Sequence, residues 1–355
     1  MHVGICFPFM NQGEIDDTDL MSGELALGEM AEGLGFDSLW VFEHHFSKYI
    51  VSPNPLQLLS YFAGRTSRIQ LGTMVVVIPW HQPQPVKLAE QVILLDHLCK
   101  GRFLLGVGRG VGRIEYENLA VDQGASKEIF VEMLKCLASA LESGVCEYDG
   151  KHVKQPKIQI RPRPRGSFKE RIFVGVGSPE TSPLIAELRM GMLVVPQKPL
   201  PAHVADVESY QKAYRDVNDE DAPPRLVTTM LYLDEDEGRA KELGREAFDH
   251  YLDAIIDHYE FRGTHLKDSP DNKTFAAMQE LISSPEGEKQ WRDQIFELNP
   301  VGTPKQVRDQ LMDMVQTFGA GRLVVGARYG AMSMKEGERN MRLFAEKVLP
   351  DLQKA

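Results

Sequence analysis

The sequence predicts a TIM (β/α)8 barrel with insertions, an α/β fold in one domain over residues 1–355. Three observations point there. Short apolar runs alternate with amphipathic helical stretches, about eight times and always in the same order. The apolar runs are rich in branched residues, as strands buried on both faces of a parallel sheet must be. Several of them end in glycines or titratable side chains, the C-terminal strand ends where such barrels place their chemistry.

The elements follow in order. His2–Pro8 is a strand. Gly23–Leu34 sets Leu25, Leu27, Met30, Ala31 and Leu34 at helical spacing and stops at Gly35. Asp37–Phe42 is the second strand, and Asn54–Thr66 the next helix, with Asn54 as cap and Pro55 in its first turn. Ile69–Ile78 is a β-rich run closed by Pro79. Pro85–Cys99 is helical, and Arg102–Val107 is a strand running into glycines. Ser126–Ser143 reads as a long amphipathic helix opened by a serine cap. Alternation resumes with strand Arg171–Val176, helix Glu180–Met190, strand Met192–Val195, helix Ala202–Val217, strand Leu226–Leu233 and helix Glu235–Tyr259. Helix Pro304–Phe318, strand Arg322–Val325 and helix Lys335–Val348 complete the set.

Two stretches leave the repeat. Residues 145–165, with Pro156, Pro162 and Pro164, read as a hairpin-like excursion. Residues 262–298 begin polar and turn-rich, and a long loop there predicts a mobile lid, a surface insertion being the other reading.

The net charge of −11 argues against nucleic acid or an anionic membrane as main partner. No apolar stretch approaches the roughly 20 residues of a membrane span. The N-terminus shows no signal-peptide pattern. Cys6, Cys99, Cys136 and Cys146 have no paired or metal-type spacing and read as free thiols in a reducing cytoplasm.

The second strand ends in Glu43-His44-His45-Phe46. A carboxylate and two imidazoles behind an apolar strand are costly to desolvate, so their presence calls for a reason. A neutral imidazole can take and return a proton near neutral pH. Adjacent strand residues face opposite ways and no partner set has ligand spacing, so no metal site is expected. Gly106-Val107-Gly108-Arg109-Gly110 lacks the acidic residue that a dinucleotide fingerprint requires. Its glycines fit close backbone approach to a ligand, with Arg109 on a phosphate. Val176-Gly177-Ser178-Pro179-Glu180-Thr181 ends a strand and opens a helix, an arrangement suited to an anion and equally to plain capping by Ser178.

These stretches, with Gly35-Phe36-Asp37-Ser38-Leu39-Trp40, Asn54-Pro55, Leu71-Gly72-Thr73, Lys100-Gly101-Arg102-Phe103 and Asn299-Pro300-Val301-Gly302-Thr303-Pro304, resemble the bacterial luciferase-like flavin-dependent monooxygenases in order and spacing, over nearly the whole chain. The likeness is greatest to the luciferase alpha subunit. It implies reduced FMN (FMNH2) as a diffusible cofactor supplied by a separate NAD(P)H:flavin reductase, O2 as co-substrate, and a C4a-peroxyflavin that oxygenates a small apolar compound such as an aldehyde or ketone. It implies His44 as the catalytic histidine, Glu43 helping to orient it and His45 in support. It places the flavin ring against a non-proline cis peptide at Met74–Val75, a stretch that by itself reads equally as ordinary strand. The phosphate falls to Arg109, Ser178 and Thr181 beside Gly177, and to Lys127, whose other reading is a solvated lysine. Pairing through the helix Asn54–Thr66 implies a homodimer or larger homo-oligomer.

The sequence also departs from luciferase. Gly108 stands at the reactive cysteine, Gly112 at a pocket tyrosine, Pro196 at a pocket tryptophan and Gly177 at a glutamate beside the phosphate. The same fold also admits an F420-dependent oxidoreductase or a non-catalytic flavin-binding subunit.

Overall fold

In the computed structural model, which describes residues 1–176, 181–266 and 273–355, eight parallel strands close on themselves. They are β1 His2–Phe7, β2 Ser38–Val41, β3 Gln70–Thr73, β4 Phe103–Gly108, β5 Ile172–Gly175, β6 Gly191–Val194, β7 Arg225–Met230 and β8 Ala320–Gly326. Each pairs with the next, and β8 returns to β1 with Val3 opposite Leu323 and Ile5 opposite Val325. This is the TIM barrel that the alternation predicts.

Alternation of side chains along each strand divides the core in two. Cys6, Trp40, Leu104, Phe173, Leu193, Leu226 and Val324, with Met74 just past β3, form one buried cluster inside the barrel. Trp40 dominates it. The indole has room because its neighbours on β1 and β3 are glycines: a β-carbon on Gly72 would stand 2.2 Å from its Cε3, and one on Gly4 3.0 Å from its Nε1. Trp40 Nε1 donates to Ser38 Oγ at 2.8 Å, so the buried N–H is satisfied. Outward-facing Ile5, Leu39, Val41 and Leu71 pack with helix residues such as Leu27, Leu59, Phe62 and Leu88 in the larger outer cluster. A third cluster, including Tyr49, Phe248, Tyr251, Trp291 and Tyr329, roofs the C-terminal face.

The hairpin forms as expected, Val145–Asp149 pairing antiparallel with Lys154–Gln159. Thr303 caps helix Pro304–Phe318 in a full capping box with Gln306, and Pro304 opens its first turn.

Three expectations need correction, and one contact was not foreseen. The run Ile69–Ile78 is not one strand. β3 stops at Thr73, a cis peptide joins Met74 to Val75, and Val76–Val77 resumes pairing with β4 before a 3-10 turn takes over. Ser126 does not cap its helix but is its first residue, Ala125 standing at the cap without a side-chain bond. Residues 273–297 are not loop: they form helices Lys273–Ile282 and Pro285–Glu297, because Met278, Ile282, Trp291 and Ile295 recur at helical spacing and bury against the roof. Finally, Cys136 and Cys146, ten residues apart, meet with their sulfurs 3.7 Å apart across the hairpin junction. Both thiols are free.

Candidate active site

The chain leaves β2 at Val41 and turns at once. The Ser52 hydroxyl donates to Phe42 O at 2.7 Å, and His44 N to Ser52 O at 3.1 Å, so a short bridge of chain fixes the three titratable residues. Phe46 turns the chain at φ 59° and is 55% exposed. Phe7, Phe9, Trp40 and Met192, near the strand ends, are buried in the core.

Glu43 and His44 face different partners. Glu43 Oε2 accepts Val77 N at 2.7 Å, and Oε1 lies 3.5 Å from His45 Nε2 and 4.0 Å from His81 Nε2. Glu43 therefore ties the strand end to the segment beyond the cis peptide and does not orient His44, because consecutive side chains on extended backbone diverge. The carboxylate that holds His44 is Glu115, with Oε1 3.0 Å from Nδ1. The same oxygen accepts His45 N at 2.9 Å and faces His258 Nε2 at 3.6 Å. Burial alone would raise the pKa of Glu115, but hydrogen bonding to His258 and His44 outweighs it and holds the carboxyl at about 2. Burial pushes His258 down.

Neither Glu115 nor His258 was singled out from sequence. Glu115 sits in the short helix Arg113–Asn118, which the periodicity missed, and His258 ends the long helix Glu237–His258. Gly112 makes their meeting possible: a β-carbon there would stand 2.6 Å from Glu115 Oε2 and 3.0 Å from His258 Nε2. The donor atoms of His44, Glu115 and His258 lie within 4.8 Å of one another, a spacing a metal ion also accepts. The hydrogen bond between His44 and Glu115 accounts for the grouping without one.

A wall of small residues stands beside this cluster. The Thr73 hydroxyl donates to Gly106 O at 2.8 Å and accepts Gly106 N at 2.9 Å, locking β3 to β4. A β-carbon on Gly108 would stand 2.5 Å from Val75 Cγ2. Arg109 follows directly. Its carbonyl accepts the Tyr116 hydroxyl, and Tyr116 also hydrogen-bonds Ser126, the residue before Lys127. Tyr116 thus draws the segments bearing Arg109 and Lys127 together, and burial lifts its phenol to about 12. Thr181 precedes helix Ser182–Glu187 and makes no capping bond. Gly177 and Ser178 lie outside the described residues. A cavity of about 770 Å³ opens on the far side of His258, lined by Ser47, Tyr49, Arg113, Asp253 and Glu260 among others. It is lined largely by charged side chains and does not include Met74, Val75 or Arg109.

The family description "luciferase-like monooxygenase" matches residues 1–321. The chain is 28% identical over 354 residues to the alkanal monooxygenase alpha chain of Photobacterium leiognathi, covering 98% of each. Among solved structures it resembles monooxygenase RslO1 from Streptomyces bottropensis, at a TM-score of 0.82 and 25% identity over 99% of this chain and 100% of that one. The oxygenating constituent of 3,6-diketocamphane monooxygenase from Pseudomonas putida, a type II Baeyer–Villiger monooxygenase in complex with FMN, shares the fold at a TM-score of 0.74 and 20% identity over 99% and 98% of the two chains.

Proposed function

Because the chain belongs to the luciferase-like monooxygenase family, we propose that it is a two-component monooxygenase. It uses FMN, reduced by a separate NAD(P)H:flavin reductase, and O2 to oxygenate a small apolar carbonyl compound, an aldehyde or ketone. The names of the similar proteins support the substrate class and the flavin: one acts on alkanals, and one holds FMN.

One observation carries the reading. His44 is anchored through Nδ1 on a buried carboxylate at the C-terminal end of β2. His44 Nδ1–H donates to the Glu115 carboxylate, so the neutral ring keeps Nε2 as acceptor, the state a general base needs.

The residues fit a flavin. Glu115 Oε2 and Trp80 Nε1 are buried with no hydrogen-bond partner among the described residues, and the Gly106–Gly108 edge leaves the wall at Val75 flat. Met74 and Val75 would back the ring. Arg109 and Lys127, with Ser178 and Thr181 beside Gly177, would hold the phosphate by charge and hydroxyl donors. Reduced flavin supplies the electrons that activate O2. His44 holds or returns the proton, His45 and Glu43 brace the strand end, and the roof keeps water from the mouth.

The test is anaerobic titration with reduced FMN, then rapid mixing with oxygenated buffer and an aldehyde or a cyclic ketone. The expected result is binding, O2 uptake and heavy-oxygen label from O2 in the product, all weakened by His44→Ala. Failure to bind reduced FMN, or hydride transfer to F420 without O2 uptake, would overturn the reading.

A further inference from the structure

Behind His44 the polar chain continues to a second histidine and a serine. The Ser47 hydroxyl lies 2.9 Å from His258 Nδ1, and the other ring nitrogen faces the oxygen of Glu115 that holds His44. The two imidazoles meet edge to face with centroids 4.8 Å apart. The His258 side chain is 0% exposed, while Ser47 lines the 770 Å³ cavity. We propose that Ser47 and His258 are positioning residues that steady the Glu115 carboxylate against His44 and through it tune the proton affinity of His44. Their catalytic consequence rests on the functional reading above; the geometry does not.

The argument is one of donors and acceptors. A neutral imidazole has one of each, and an ionised carboxylate only accepts. Nε2 of His258 faces Glu115 at 3.6 Å, beyond a hydrogen bond but close enough for the anion to favour the hydrogen there, which leaves Nδ1 to accept the Ser47 hydroxyl. With His258 and His45 N both directed at it, the anion is steadied and accepts the Nδ1–H of His44. Without the Ser47 hydroxyl, His258 Nδ1 loses its donor and the ring is no longer held toward Glu115. The carboxylate then loses its N–H on that side, and the less screened anion raises the proton affinity of His44. Cationic His258 does the reverse, because one carboxylate cannot fully offset two neighbouring imidazolium charges.

The groups facing His258 are Ser47, Tyr49 and His44 from the segment after β2, and Glu115 from helix Arg113–Asn118. Tyr259 and Glu260 follow on its own segment, and Arg113 and Glu117 stand across the cavity. Gly112 admits this limb, since a β-carbon there would crowd both Glu115 Oε2 and His258 Nε2.

Nitrogen NMR of the flavin-free protein with isotope-labelled histidine tests it. The expected wild-type signature is Nδ1–H for His44 and Nε2–H for His258. Ser47→Ala should leave His258 as Nε2–H but remove the hydrogen bond at its Nδ1, and raise the midpoint of His44 by about half a pH unit or more. His258→Gln, which keeps an N–H donor but cannot become cationic, should also raise that midpoint, and adding Ser47→Ala to it should change nothing further. A His44 midpoint unmoved by Ser47→Ala, or moved equally in the His258→Gln background, would overturn the proposal. Because no flavin is present, such coupling in a protein inert toward reduced FMN and O2 would sink the functional reading alone.

Discussion

Gly108 and Val75 share one surface, and a β-carbon on the glycine would reach to 2.5 Å from Val75 Cγ2. Gly108→Ala should therefore push Val75 off the wall. Overpacking of this kind costs about 1–3 kcal/mol. If the wall receives the flavin, affinity for reduced FMN should fall roughly tenfold, equivalent to about 1.4 kcal/mol, while the fold survives. Fluorescence titration and a thermal melt separate the two effects. Unchanged flavin affinity would remove this wall from the site.

The packing of Trp40 against Gly72 gives a prediction about stability. Trp40→Ala should cost about 3–5 kcal/mol through the cavity it leaves. Gly72→Ala should cost about 1–3 kcal/mol through overpacking, since its methyl would meet the indole. The double variant should lose less than the sum, because the new methyl enters vacated space. Urea unfolding of the three variants measures this, and strict additivity would contradict the contact.

Glu115 predicts a pH effect with a definite sign. Its carboxyl is held at about 2 against an ordinary 4.5. The stabilisation it contributes is fully present above the ordinary value and drains away as pH falls from there toward 2. It is of order 1–3 kcal/mol. Glu115→Gln should be less stable than wild type at neutral pH and converge with it on acidification. Denaturant midpoints at a series of pH values give the answer, and parallel curves for the two proteins would refute it.

The outer face of two neighbouring helices, Pro55–Arg65 and Pro85–Leu98, predicts self-association. Tyr61 is 37% exposed, Leu94 49% and Leu98 51%, an apolar face with no covering element among the described residues. Leu94→Glu together with Leu98→Glu should shift a homodimer to monomer in light scattering with the melting temperature of the monomer preserved. A wild-type protein already monomeric at high concentration would dispose of the idea.

The barrel was legible because its signal is local. Apolar runs of strand length and helices with caps such as Asn54 and Thr303 announce themselves within a few residues. The front of the site was legible for the same reason: Glu43, His44 and His45 follow a buried strand directly. Its rear was not, because Glu115 lies 71 residues from His44, and Ser47 and His258 are 211 apart. Only a histidine closing the run Ile255-Ile256-Asp257-His258 hinted at a buried polar group there. The helices Lys273–Ile282 and Pro285–Glu297 were masked by the turn-rich stretch before them, although Ser284 and Pro285 form a start signal that reads correctly in hindsight.

The tryptophan wedged between two glycines has a consequence for traffic. Among the described residues its cluster fills the barrel axis, which leaves the strand ends beneath the roof as the approach to His44. Whatever carries electrons, whatever is oxidised and whatever is released must all use the doorway formed by the strand ends beneath the roof. Arrival and departure are then a queue, and the order in which visitors leave is set by which of them lies deepest.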